Sequence, residues 1–215
     1  MAALIDESFR RVLPVYSKQL IALYIRWALT PNRITFLGML GACLAALAVA
    51  VSWNVLAVIV WWLSRILDGT DGILARETGQ ESPYGAFLDI VCDMFAYGIM
   101  IVGFFAAYPD FAWYWLFILF AYILCITSAL ALGSLEASLS VDQKDNRGLR
   151  LGAGLAEAGE TGIAYSVFLV FPEYLWLWLP VWSGILFYTV ISRVRLAWLL
   201  QSQHQSRADV TRADA

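Results

Sequence analysis

The chain has 215 residues, 61% of them hydrophobic and 14% charged, with a net charge of −3 and a mean hydropathy of +0.70. Average soluble chains carry roughly 25% charged residues, so an ordinary soluble globular protein is excluded and an integral membrane protein of one domain is indicated. Cys43, Cys92 and Cys125 all fall in apolar segments without CxxC pairing, which argues against a disulfide framework.

Residues 1–29 mix Arg10, Arg11, Lys18 and Arg26 with Phe, Leu, Val, Tyr and Trp. They read as an amphipathic juxtamembrane segment lying along the bilayer surface, broken at Pro14. They lack the ordered basic, apolar and small-residue regions of a cleaved signal peptide, so none is expected. Thr30-Pro31-Asn32 then opens a helix, with Thr30 or Asn32 as its cap and Pro31 in the first turn.

Six apolar spans are expected, over 34–51, 56–76, 84–108, 111–135, 150–171 and 174–200. Each is near the ~20 residues that a bilayer requires. Ser52-Trp53-Asn54, Pro109-Asp110 and Pro172-Glu173 turn the chain on one side; 77–83 and a polar loop, 137–149, lie on the other. Residues 201–215 form a polar tail, expected to be disordered. The fold class is thus all-α, six transmembrane helices over 30–200 behind an amphipathic N-terminal helix, with no repeat and no second domain. Of the 14 Lys and Arg residues, all but the mid-span Arg65 fall on the side of the termini or in the span ends adjoining it. That bias places both termini in the cytoplasm.

The most informative stretch is LDGTDGILARETGQESPYGAFLDIVCDMFA, residues 67–96. Asp68 and Asp71 are spaced i,i+3, and Asp89 and Asp93 i,i+4, so each pair shares a helix face. Gly72 and Ala75 extend the first stripe with little bulk; Gly85 and Ala96 flank the second. At ~1.5 Å per residue, Asp71 and Asp68 lie about 7 and 12 Å along their helix from Arg76. Asp89 and Asp93 lie about 8 and 14 Å along theirs from Tyr84. In antiparallel neighbours, Asp71 is then level with Asp89, and Asp68 with Asp93, all in the cytoplasmic half of the bilayer. Acids at that depth signal function. They cannot all stay ionised without counter-charge, and oxygen-only ligands favour magnesium, manganese or calcium. The bland alternative, pairing with Arg65 and Arg76 to join helices, leaves two arginines against four acids.

Asp68-x-x-Asp71-Gly72-x-x-Ala75-Arg76, eight residues, then Gly85-x-x-x-Asp89-x-x-x-Asp93 resembles the signature of the CDP-alcohol phosphatidyltransferases, with every fixed position present. The resemblance implies a transferase that moves a phosphatidyl group from a CDP-linked lipid, usually CDP-diacylglycerol, to an alcohol and releases CMP. It implies two divalent cations, Mg2+ or Mn2+, on Asp68, Asp71, Asp89 and Asp93, with Asp93 also the base for the acceptor hydroxyl. Gly72 and Ala75 would let the nucleotide approach the helix, and Arg76 would meet phosphate as a fork of donors. Asn32, Ser82 and Gly85 complete the expected nucleotide contacts. A homodimer in a bacterial-type inner membrane is expected, with no nucleic-acid partner.

The acceptor stays open. Lys144, Arg147, Arg150, Arg193 and Arg195 cluster at cytoplasmic span ends, where membrane anchoring explains them equally well. Arg150 and Arg193, if turned inward, suit a phosphorylated polyol such as glycerol 3-phosphate, the main expectation; inositol, inositol phosphate or another headgroup alcohol is the alternative. Glu157 and Glu160, with Thr161, could bind polyol hydroxyls or join helices. His204 lies in the tail and has no assigned role. A small ion or metal transporter using intramembrane acids is the alternative of another class; it would show inverted repeats and broken helices, which are not visible.

Overall fold

The computed structural model describes residues 17–139 and 158–213, and every described element is helical. Residues 17–26 form α1, followed by α2 (Pro31–Ala50), α3 (Asn54–Thr78), α4 (Pro83–Ala107), α5 (Ala112–Ser138), α6 (Ala158–Val170) and α7 (Leu175–Ala213). Single 3-10 turns, Pro109–Phe111 and Pro172–Tyr174, stand before α5 and α7. Four stretches are long and apolar enough to cross a membrane: Pro31–Ala50, Pro83–Ala107, Pro109–Ser138 and Pro172–Ser202. α3 has 25 residues, enough length, but Arg65, Asp68, Asp71 and Arg76 dilute it. The described part of α6 has 13 residues, and its expected start at Arg150 lies outside the described residues.

Of the N-terminal segment, residues 1–16 lie outside the description. The rest docks onto the bundle. Ile21 and Tyr24 of α1 are buried with Ile34 and Leu74, and the Tyr24 hydroxyl is 3.2 Å from Thr70 Oγ1. Thr30 is the N-cap of α2 with Pro31 behind it, but its side chain makes no capping bond; the Arg33 N–H donates to the Thr30 carbonyl at 3.0 Å. At the other end α7 passes the expected stop at Leu200 and runs to Ala213. Nothing in QSQHQSRADVTRA is Gly or Pro, so no residue there breaks the helix.

The α3–α4 hairpin positions the acidic stripes. Gly79 closes α3 in the left-handed region at φ 64°, and the Gln80 N–H reaches back to the Ala75 carbonyl at 2.8 Å. Ser82 opens α4 by accepting from the Gly85 N–H at 3.0 Å, with Pro83 next in line. Only residues 79–82 separate the helices, so they run antiparallel with their stripes at the same end.

α2 packs along both arms of that hairpin. Lipid does not drive helices together as water does, so close backbone approach and polar contacts matter. Gly41 is the small residue against α3, where an added Cβ would come within 3.1 Å of Ser64 Cβ. The Ser64 hydroxyl in turn donates to the Gly38 carbonyl at 2.7 Å. Further along, Gly103 of α4 lies against the Ala46 backbone of α2. Large side chains fill the middle of the molecule: Trp61, Phe104, Trp115, Tyr165 and Phe168 are buried together, with Phe104 and Trp115 stacked at 5.2 Å. Trp62 ties α3 to α6 by donating from Nε1 to Ser166 Oγ at 2.9 Å. α5 packs against α7. Leu40, Leu44 and Leu47 of α2, and Leu116, Phe120 and Ile123 of α5, face outward, as side chains that meet lipid do.

Candidate metal and nucleotide site

Three carboxylates meet between α3 and α4. Ligand oxygens of Asp68, Asp89 and Asp93 lie within 4.8 Å of one another, and all three residues are half-buried. Asp71 is not in this group, which differs from the expected convergence of four. It is buried, and its Oδ2 accepts a short hydrogen bond from Thr35 Oγ1 of α2. The donor competes for a carboxylate that spacing alone would aim at the other three. Asn32 and Thr35 share a face of the first turn of α2 at i,i+3, which is the signal by which Thr35 could have been found.

Arg65 is the second side chain that spacing alone did not place in the site. It is 6% exposed, and its Nη1 lies 2.5 Å from Asp93 Oδ1 and 3.6 Å from Asp68 Oδ2. The ion pair with Asp68 is i,i+3 on one helix and legible in sequence; the tighter one, to Asp93, crosses from α3 to α4.

Of the expected nucleotide residues, Asn32, Ser82 and Gly85 lie together at the hairpin end, while Gly72, Ala75 and Arg76 lie along α3. A Cβ placed on Gly85 would lie 3.2 Å from Ser82 Oγ and 3.5 Å from Asn32 Oδ1, so these three residues from α2, the loop and α4 adjoin. Gly72 is half-buried, and beyond its own helix backbone and chain neighbours the atom that an added Cβ there would meet among the described residues is Arg76 Nη1, at 3.5 Å. That strip of α3 is open apart from the Arg76 guanidinium. Ala75 is half-buried and Arg76 exposed. Ser82 also holds the start of α4. Ser82→Ala is expected to lower stability by about 1 kcal/mol, read as an earlier thermal melt in detergent, whereas Ser82→Asp retains the cap.

The expected acceptor residues are divided. Arg150 and Glu157 lie outside the described residues. Arg193 is buried on α7 and donates from Nη1 to the Cys125 carbonyl of α5 at 2.7 Å. Glu160 is half-buried at the start of α6, and its Oε2 finds no hydrogen-bond partner among the described residues.

The sequence model for CDP-alcohol phosphatidyltransferase matches residues 28–191, which includes α2, α3, α4 and the acidic stripes. The chain belongs to the CDP-alcohol phosphatidyltransferase family. It is an integral membrane protein. Inner membrane protein YnjF of Escherichia coli K12 is 31% identical over 176 residues, covering 80% of this chain and 84% of that protein. Phosphatidylinositol phosphate synthase of Mycobacteroides abscessus is 27% identical, covering 72% of this chain and 66% of that protein. Among solved structures, phosphatidylinositol phosphate synthase of Mycobacterium tuberculosis with CDP-DAG bound has the same fold at a TM-score of 0.62 and 21% identity, covering 85% of this chain and 93% of that one. The same enzyme in complex with manganese and citrate matches at a TM-score of 0.61 and 20% identity, covering 85% and 88%. This family member is thus similar over most of its length both to an inner membrane protein and to phosphatidylinositol phosphate synthases.

Proposed function

We propose that this transferase moves the phosphatidyl group of CDP-diacylglycerol to a hydroxyl of inositol phosphate and releases CMP. The observation that carries the reaction is the meeting of Asp68, Asp89 and Asp93 from two helices. The donor follows from the family and from the CDP-DAG bound by the mycobacterial relative. The relatives named above also favour inositol phosphate over glycerol 3-phosphate as acceptor.

The donor set suits hard divalent cations: carboxylate oxygens alone, with no nitrogen or sulfur ligand in the group. Asp68, Asp89 and Asp93 would hold them, with Asp71 as a further ligand once Thr35 yields it. When bound, such cations neutralise the pyrophosphate and the charge that develops on departing CMP. The protein's own groups do the rest. Asp93 accepts the proton of the acceptor hydroxyl as the new P–O bond forms and the bond to CMP breaks. Gly72 and Ala75 leave space for the nucleotide along α3, while Asn32, Ser82 and Gly85 border its far end. Arg76 offers donors to phosphate at the water-facing end. Arg150 and Arg193 are proposed to meet the acceptor phosphate, and Glu157 and Glu160 its hydroxyls. The Oε2 of Glu160, without a hydrogen-bond partner among the described residues, supports the last of these.

The same reading keeps six spans over 30–200, an interfacial N-terminal segment, a polar tail, a homodimer, and termini and site on the cytoplasmic side. Acyl chains of the donor then stay in the inner leaflet while the headgroup reaches the carboxylates. An acceptor panel tests it. Purified protein receives CDP-diacylglycerol, Mg2+ or Mn2+, and inositol phosphate, inositol or glycerol 3-phosphate, and the lipid product is identified by mass spectrometry. Phosphatidylinositol phosphate is expected as the dominant product. Dominant phosphatidylglycerophosphate would reverse the acceptor assignment, and absence of CMP release with every acceptor would overturn the enzyme reading.

A further inference from the structure

Arg65 places a fixed positive charge inside the carboxylate group that the proposed cations would occupy. Its geometry is that of a built-in ligand for the acids. Nη1 contacts both Asp93 and Asp68, and Nη2 donates to Ser64 Oγ at 3.1 Å. Two rings flank the guanidinium, Trp61 at 4.7 Å and Tyr97 at 5.4 Å from its carbon to the ring centres. Such rings attract the cation independently of the carboxylates. Nε is buried and has no hydrogen-bond partner among the described residues. The side chain is therefore oriented by the acids, the Ser64 hydroxyl and the two rings.

Charge and space both set Arg65 against a metal. A carboxylate oxygen at 2.5 Å from Nη1 has that lone-pair direction filled. A divalent cation seated among Asp68, Asp89 and Asp93 would draw on the same two carboxylates that Arg65 already pairs, and it would sit beside a guanidinium of like sign. We propose that Arg65 is a resident counter-ion that competes with the divalent cation for Asp93 and Asp68, and so weakens metal binding to the empty site. The flanking rings keep the charge in the site after the acids are released. The guanidinium then favours full metal occupancy only together with an anionic donor. Arg65 is a positioning residue in this role, and the inference rests on the metal-site reading given above.

Mn2+ binding to the full-length protein in detergent, without lipid donor, tests it. Free Mn2+ is read by its electron paramagnetic resonance signal. Arg65→Gln is expected to bind Mn2+ more tightly by roughly ten- to hundredfold, the weight of one buried charge-assisted hydrogen bond. A residue needed only for packing would give equal or weaker binding, and that result overturns the proposal. Should Arg65→Gln not fold, Arg65→Lys replaces it: a point charge on a shorter reach cannot hold both acids, so tighter Mn2+ binding is again expected, and unchanged or weaker affinity again overturns it. Asp68→Asn separates the two levels. If wild type and Asp68→Asn bind Mn2+ alike, the metal site itself fails; if Asp68→Asn loses binding and the Arg65 variants match wild type, only the role of Arg65 fails.

Discussion

Asp93→Asn is expected to lower turnover by about 10²–10⁴-fold, the usual weight of a general base, while CMP binding is largely kept. Asn has nearly the same shape, so the α3–α4 packing survives. It cannot take a proton from the acceptor hydroxyl, and its amide offers a poorer metal ligand on one of the three oxygens that meet. The change also removes the anionic partner at 2.5 Å from Arg65. Radiolabelled CMP release under saturating acceptor measures turnover, and equilibrium CMP binding to the same preparation measures the site. Loss of nucleotide binding with turnover retained would invert the assignment and make Asp93 a donor contact only.

Gly103→Leu should have the largest effect on stability. The ideal Cβ position at Gly103 lies 2.5 Å from the Ala46 carbonyl oxygen and 3.0 Å from its Cα. Those atoms are backbone, so nothing there can swing aside. Overpacking a tight contact typically costs about 1–3 kcal/mol; the added Cβ already reaches this range, and three further carbons exceed it. Gly103→Ala is therefore expected to melt earlier in detergent, and Gly103→Leu to fail to give a monodisperse protein. The strain acts where α2 crosses α4, so the helix carrying Asn32 and Thr35 shifts relative to the helix carrying Asp89 and Asp93. A Gly103→Leu protein that purifies and melts with wild type would mean that α2 and α4 stand further apart than described.

Much of this was readable before any coordinates. Apolar run length and punctuation located the helices: Ser82-Pro83 and Pro109 bracket α4 within a residue or so of expectation. Fixed spacing put two acids on one face of α3 and two on one face of α4. Interhelical choices were not readable. That Thr35 takes Asp71, or that Arg65 reaches Asp93, depends on which side chain arrives from a helix elsewhere in the chain. Arg193 shows the same limit. Its place near a span end was plain, but its turn onto the Cys125 carbonyl is set by the packing of α7 on α5. The run of α7 past Leu200 was missed because polar composition was read as absence of structure, although a breaker-free sequence continues a helix readily.

The charged content of α3 has a consequence for how the protein is made. An Asp or Arg near the centre of a spanning helix opposes insertion by about 2.5–3.5 kcal/mol each, and α3 carries Arg65, Asp68 and Asp71 in sequence. In the proposed six-span arrangement α3 is therefore expected to enter lipid less readily alone than beside a neighbour. α2, already synthesised and matched to it through Gly38, Gly41 and Ser64, is the expected escort into the bilayer. Biogenesis of the catalytic half is then a paired event, and a lesion on α2 would surface first as failed membrane integration, before any question of catalysis arises.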